Sequence, residues 1–401
     1  MGDYFKSQSS YSNTFKHKNS KFPIRLKPLK NELLSSWLLR EAYAHYMNPP
    51  AFISLYFYNF DRHIFHRDID LVGINENFIK QLVSKTYYKK EDFLGMTLKS
   101  YEGYLFINLN KSNRNLFILQ PRFRKGRAIK KAIRFCPLCL KESKEQYLKK
   151  YWRLSFSTIC LKHKCFLYDN CPECGEVFSP NKRKYDIKEY HCHKCGFSFS
   201  QSPIKYVSKL SSGFKNIQKI NEILESGVFI FEGKPILSIF FFPILKQVLR
   251  FLYFYNFRTI ELLNEESHLL NIQLPEEKNK KKRFLEDLSI KEHYILFTVA
   301  MEIFKSKDSF EKYIKDNKIG FPFLNRGIEY IPFWYDELIK QFSNKHYFPT
   351  DEEIKSAVKY LKKKGIKPSY KKLSKMFDCY LDKRRTVELW YEVIENPDDY
   401  L

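Results

Sequence analysis

Eight of the nine cysteines fall between Cys136 and Cys195, and their spacing is regular. Cys136-Pro-Leu-Cys139 is followed after twenty residues by Cys160-Leu-Lys-His163. Cys171-Pro-Glu-Cys174 is followed after seventeen by Cys192-His-Lys-Cys195. A C-x2-C knuckle lets two thiolates face one tetrahedral ion from a tight turn, and two knuckles complete a four-ligand shell. Gly175 and Gly196 suit the turns that follow their knuckles. A shell closed by four protein ligands is structural, because catalytic zinc keeps a position for water. The sequence therefore predicts two structural Zn2+ ions. Their ligands are Cys136, Cys139, Cys160 and His163, and Cys171, Cys174, Cys192 and Cys195. Cys165 is expected to be a buried spectator, with His191 and His193 as loop residues. A crossed pairing of the knuckles stays open at this point. Structural zinc contributes about 10–16 kcal/mol of apparent binding energy, and a module poor in aliphatic residues is expected to need it to fold.

The balance of charge points outward. Lys+Arg is 70 against 45 Asp+Glu, a net charge of +25 over 401 residues. Such a surplus suits a polyanion, although a composition rich in Phe, Tyr and Lys and poor in Gly also fits an AT-rich codon bias. Local clusters carry more weight. Residues 121–135, PRFRKGRAIKKAIRF, hold seven Lys/Arg and no acid. Arg122, Arg124, Lys125 and Arg127 are its candidate DNA contacts. Between Lys355 and Phe377 there are nine lysines and no acid. Of these, Lys371, Lys372 and Lys375 are the candidates for phosphate. A solvated lysine face is the plain alternative.

Hydrophobic periodicity predicts a mainly α, multidomain chain with small zinc-ribbon β elements. Residues 1–21 read as a flexible tail, and 22–120 as a helical N-terminal domain. Leu33, Leu34, Trp37, Leu38 and Ala42 recur at helical spacing, with Pro49-Pro50 expected to end that helix. Phe78, Ile79, Leu82 and Val83, a break at Tyr87-Tyr88, then Phe93, Leu94 and Leu98 outline a helix-turn-helix. An ordinary helical hairpin gives the same outline. Residues 121–200 are a basic linker and tandem zinc ribbons. Residues 201–345 form a helical domain with apolar stripes at 236–263 and 288–304 and an exposed loop at KNKKKR, 278–283. Residues 346–401 read as a basic helix-turn-helix-like unit. There, acids at 351–353 open one helix, Gly365 ends it, and Pro368-Ser369 start a second with Leu373, Met376 and Phe377 inward.

No secretory signal or bilayer-length apolar run is read from the sequence, since the longest apolar run is ten residues and a span needs roughly 20. A soluble, cytoplasmic protein without a membrane partner is expected. There is no G-x-x-x-x-G-K-[ST], G-x-G-x-x-G or H-E-x-x-H motif. A non-enzymatic role is expected.

Several of these residues together resemble a known family. Pro28, Glu32, Leu34, Ser35, Ser36, Trp37, Leu38 and Arg40 resemble the opening signature of the TniQ/TnsD family of transposon target-site selection proteins. FCPLCLKE, YWRLSFSTICLKHKCFLYDNCPECG and CHKCGF resemble its zinc block. The intervening DIDL and LVSKTYYKKEDFLGMTLKSYEGYLF are similar to it as well, so the likeness covers residues 22–200. It implies the same eight zinc ligands and a bacterial, nucleoid-associated role. Tyr87-Tyr88 depart from the Gly common in helix-turn-helix turns. The implied function is a DNA-binding adaptor that recruits an AAA+ regulator of the TnsC type, and hence the transposase, to double-stranded DNA. The family also includes adaptors docked on a CRISPR effector complex with guide RNA, and homodimers. Arg40, Tyr101 and Tyr104 are the expected exposed docking residues for the ATPase. A zinc-ribbon transcription regulator and a metal-dependent nuclease are the competing classes.

Overall fold

The computed structural model describes residues 20–58, 68–72, 76–110, 115–124, 127–130, 132–182, 189–254, 285–317, 319–328, 330–343, 349–377, 381 and 383–395. The chain is mainly helical, with small antiparallel strand pairs, and divides into two compact units. One comprises residues up to 318 together with 326–332; the other comprises 319–325 and the residues from 333 onward.

The first unit begins with α1 (Leu34–Ala44), α2 (Pro49–Tyr56), α3 (Ile69–Val72), α4 (Glu76–Lys85) and α5 (Lys90–Gly95). Leu34, Trp37, Leu38 and Ala42 bury the predicted stripe of α1 in one core with Phe52, Phe78, Leu82 and Phe93. Trp37 also donates its indole N–H to the Leu26 carbonyl at 2.9 Å. Pro49-Pro50 do not end α1 as expected. They occupy the first turn of α2, where a proline lacks no needed N–H, and Asn48 caps that turn by accepting from the Ala51 N–H at 2.8 Å. The outline at 78–98 becomes α4 and α5, the latter of only six residues. In the break between them Tyr87 is exposed, while Tyr88 packs on the core.

The hairpin β1 (Arg122–Arg124) and β2 (Arg127–Lys130) leads to α6 (Pro137–Glu142), then the hairpin β3 (Ile159–Cys160) and β4 (Cys165–Phe166). Next come α7 (Ser212–Ser226), the hairpin β5 (Val228–Phe231) and β6 (Lys234–Leu237), α8 (Ser238–Phe254), α9 (Ile290–Ile303) and α10 (Lys307–Asp316). The β5–β6 hairpin falls inside the segment expected to be helical. The apolar stripes are core where described: Phe241, Phe242 and Leu245 of α8 and nearly all of α9 are buried. The loop expected at 278–283 lies outside the described residues.

The N-terminal helices, the cysteine-rich segment and the following helices share one body. The Leu33 N–H donates to the Leu148 carbonyl and the Leu148 N–H to Ser36 Oγ, each at 2.9 Å. Phe117, Phe156, Phe242 and Phe297 form one ring cluster with centroids 5.4–6.1 Å apart. Buried charge joins the same pieces. The Arg153 guanidinium pairs with Asp68 at 2.5 Å and with Asp70 at 2.9 Å. It donates to the Leu119 carbonyl as well, while Asp70 accepts from the N–H and hydroxyl of Ser35. Arg134, from the basic segment, is fully buried rather than presented to a partner. It donates to the carbonyls of Ser155 and Ser157 at 2.8 Å and to His293 Nδ1 at 2.8 Å. Arginine cannot accept a hydrogen bond, so His293 Nδ1 is the acceptor and Nε2–H donates to the Leu285 carbonyl at 2.7 Å. Burial, and the Arg134 charge after it, keep this imidazole neutral, its pKa held well below the usual range.

The second unit holds α11 (Phe321–Asn325), α12 (Phe333–Ile339), α13 (Asp351–Lys363), α14 (Tyr370–Met376) and α15 (Lys383–Glu395). The last three enclose Ile354, Val358, Leu361, Leu373, Leu389 and Val393. Thr350 and Glu353 form a capping box at the start of α13. Gly365, at φ 68°, follows the end of α13 in the left-handed conformation that terminates helices. Ser369 caps α14, accepting from the Lys372 N–H. Met376, expected inward, is 48% exposed; Leu373 is the inward residue of α14, with Phe377 partly buried.

Candidate metal centres and basic surfaces

Each metal cluster is assembled by local turn geometry. Cys136 caps α6: Pro137 occupies the first helical turn, and Cys136 Sγ accepts from the Cys139 N–H at 3.4 Å. The knuckle thus continues into a helix and requires no glycine. Opposite it, the β3–β4 turn passes through Lys164 at φ 53°, and the Lys164 N–H returns to the Cys160 carbonyl at 2.7 Å. The second pair of knuckles turns differently. Gly175 at φ 70° and Gly196 at φ 80° send their N–H groups back to the carbonyls of Cys171 and Cys192. A Cβ at either glycine would meet open space, so the dihedral angle, not crowding, requires glycine there.

The knuckles pair in sequence, not crosswise. Cys136, Cys139, Cys160 and His163 form one cluster, and Cys171, Cys174, Cys192 and Cys195 the other, with the donor atoms of each within 4.8 Å of one another. In the first, His163 Nδ1 lies 3.3, 3.4 and 3.5 Å from the sulfurs of Cys136, Cys139 and Cys160, and Cys139 Sγ is 3.7 Å from Cys160 Sγ. In the second, Cys171–Cys195 and Cys174–Cys192 are both 3.6 Å apart. A tetrahedral zinc with bonds of about 2.3 Å to sulfur and about 2.0 Å to nitrogen separates two sulfurs by about 3.8 Å and a sulfur from a nitrogen by about 3.5 Å. The donor sets fit that ion in number, type and spacing. Zinc bound there would supply a cross-link between knuckles.

Cys165 is fully buried with its sulfur 3.7 Å from Cys136 Sγ, but it belongs to neither cluster, and neither do His191 and His193. Groups not singled out in the sequence complete the surroundings. Glu142 accepts from His163 Nε2 at 2.9 Å, so Nδ1 is left facing the sulfurs, the carboxylate–histidine arrangement that orients metal-binding imidazoles. Lys162 and His163 beside it hold the Glu142 carboxyl down to about 2. Lys149 Nζ donates to Cys139 Sγ at 3.4 Å. Glu142 lies three residues beyond Cys139, a signal that becomes readable only once His163 is known to face the same helix. Phe135 packs 4.7 Å from Phe178 and 4.8 Å from Phe199, so aromatic rings join the buried Leu140, Leu154 and Leu167 in the core of this segment.

Among the candidate DNA contacts, Arg122, Arg124 and Arg127 fall on the β1–β2 hairpin, with Arg124 opposite Arg127. Lys125 lies outside the described residues. Lys371, Lys372 and Lys375 are exposed on α14. The acids of this three-helix unit lie elsewhere, in pairs such as Asp351–Arg385 and Glu392–Lys355. The expected docking residues do not share one environment. Arg40 is buried, paired with Glu32 at 2.7 Å and with Glu145. Its place on the fully packed α1, beside an acid eight residues earlier, explains the difference. Tyr101 is half-buried, and Tyr104 is exposed.

Fold and clusters together define a mainly α, multidomain protein with two thiolate-rich, four-donor centres each able to hold a metal ion. Residues 23–167 match the TniQ family model. The match takes in α1 to α6, the Arg153 ion-pair network and the whole first cluster; the second cluster lies beyond it. No curated protein matches the chain. Among the described residues, no helix is long and apolar enough to cross a membrane.

Proposed function

We propose that this protein is a transposition adaptor that selects a DNA target site and recruits an AAA+ ATPase of the TnsC type, through which the transposase arrives. The observation that carries this reading is the match of residues 23–167 to the TniQ family model, a stretch built into one body with the first metal cluster. Both centres are read as structural zinc sites, Cys136, Cys139, Cys160 and His163 holding one ion and Cys171, Cys174, Cys192 and Cys195 the other. Four protein donors close each shell, so the ions hold knuckles together and perform no chemistry on a substrate. The role is non-catalytic, and ATP hydrolysis belongs to the recruited partner.

Duplex DNA is assigned to the second unit, where Lys371, Lys372 and Lys375 form an exposed row without an acid among them, and to Arg122, Arg124, Lys125 and Arg127. Each phosphate contact contributes about 0.9 to the slope of log affinity against log salt. Changing Lys371, Lys372 and Lys375 together to Ala should weaken binding to duplex fragments and flatten that slope by up to about three units, measured by mobility shift across a salt series. An unchanged slope would make these lysines a solvated face and remove DNA from the second unit.

A further inference from the structure

A cleft of about 290 Å3 opens beside the first metal cluster, where three stretches of the first unit meet. Tyr101 reaches it from the 3-10 turn after α5, Lys150 and Tyr151 from the turn before β3, and Lys162 from the β3–β4 turn. Asn221 and Glu225, four residues apart on α7, face it together. Its volume is at the small end of ligand pockets, which run from about 300 to 1,000 Å3. A stable protein partner needs roughly 1,000 Å2 of interface, so the cleft by itself suits a single small molecule or one residue of a polymer.

The lining specifies more than size. Two tyrosines offer ring surface; Lys162 is paired with Glu142 at 2.6 Å, so Lys150 is the ammonium group the cleft offers and Glu225 its carboxylate. Lys150 Nζ donates to the Gly95 carbonyl at 2.5 Å and to Ser100 Oγ at 2.9 Å, which leaves the third of its protons for a ligand. Asn221 gives one amide proton to the Ile217 carbonyl at 2.7 Å and keeps a second. Asn31 brings another carboxamide to the cleft. Ser157 also lines it, is 2% exposed, and its hydroxyl has no hydrogen-bond partner among the described residues.

We propose that this cleft binds a nucleotide. The base lies against Tyr101 and Tyr151, its edge meets the carboxamides of Asn31 and Asn221 and the Glu225 carboxylate, and its phosphate turns toward Lys150. Aromatic stacking tolerates any base, carboxamides match the mixed donors and acceptors of a base edge, and the spare proton of Lys150 suits a phosphate oxygen. The nucleotide is either free or one unit of a strand, and the two sources are separable. The proposal is independent of duplex binding by the second unit.

The test is equilibrium binding of AMP and of a fluorescein-labelled single-stranded hexanucleotide to the full chain, as wild type, Asn221→Trp and Asn221→Ala. Circular dichroism and zinc content report folding. Asn221 is half-exposed, so tryptophan there fills the cleft and not the core. Saturable binding is expected, weakened about tenfold or more by Asn221→Trp and several-fold by Asn221→Ala. AMP binding identifies a free nucleotide, and binding of the hexanucleotide alone identifies a strand. No saturable binding of either probe, binding unchanged in both variants, or full displacement by equimolar inorganic phosphate would overturn the proposal.

Discussion

Replacing Arg153 by Met should loosen the first unit more than any surface change. Its side chain is 4% exposed, and so is that of Asp70. The guanidinium binds Asp68, Asp70 and the Leu119 carbonyl, so one substitution leaves two carboxylates and a carbonyl without its charge, and Asp70 keeps only the donors of Ser35. Breaking a buried pair by removing one partner costs about 3–5 kcal/mol, because an uncompensated charge stays behind. An exposed pair costs at most about 1 kcal/mol. Urea unfolding of the full chain, followed by circular dichroism, should therefore show a loss of about 3–5 kcal/mol in the transition assigned to the first unit. Adding Asp68→Asn and Asp70→Asn should recover part of it, since the penalty comes from the stranded charge. A loss below about 1 kcal/mol, or no recovery in the triple variant, would refute the idea that this network ties the N-terminal helices to the cysteine-rich segment.

Two further outcomes follow from the core and the clusters. Cys136→Ser should lower zinc content from about two equivalents to about one and destabilise the first unit, while Cys165→Ser should leave two, as read by elemental analysis of protein purified without added metal. Equal zinc loss in both would mean that Cys165 is a ligand. Glu41 is buried on α1, with Oε1 accepting from the Leu26 N–H and Oε2, 3.9 Å from His45 Nδ1, without a hydrogen bond among the described residues; burial raises its pKa from 4.5 to about 8. The folded state then holds a proton that the unfolded chain releases near its ordinary value. That contribution is complete below about pH 4.5 and is lost as pH rises through about 8. Thermal stability should fall between about pH 5 and 8, and Glu41→Gln should flatten that fall. An identical pH profile in the variant would place an ionised carboxylate at this position.

The clusters were readable in the sequence because ligand spacing is local: a C-x2-C knuckle fixes its own turn, and Gly175 and Gly196 stand where φ is positive. The stripe of α1, and the acids at 351–353 and Gly365 that bound α13, were readable for the same reason, since period and caps act within a few residues. Pro49-Pro50 misled because proline disfavours a helix interior yet suits a first turn, and those outcomes differ only in where the preceding helix stops. The long-range pairs had no such signal. Arg153 meets Asp68 and Asp70 more than eighty residues away, and Arg134 meets His293 at still greater separation, so neither leaves a period in the chain. Arg134 belongs to a basic stripe in the sequence, and the carbonyls of Ser155 and Ser157 together with His293 of α9 withdraw it from solvent. The inward face of α15 joins α13 and α14 through Leu389 and Val393, with Trp390 packed against the same core.

The adaptor reading is tested most directly by co-recovery of the AAA+ ATPase with this chain on target DNA. The full, zinc-loaded protein would be immobilised and offered the ATPase with ATP, in the presence and absence of duplex DNA. Recovery of the ATPase that increases with DNA, and that falls when Tyr104, exposed within the stretch that matches the TniQ family model, is changed to Ala, is the predicted result. DNA binding by a folded, zinc-loaded chain with no recovery of the ATPase under either condition would contradict it, and would point instead to a regulator that acts on DNA alone.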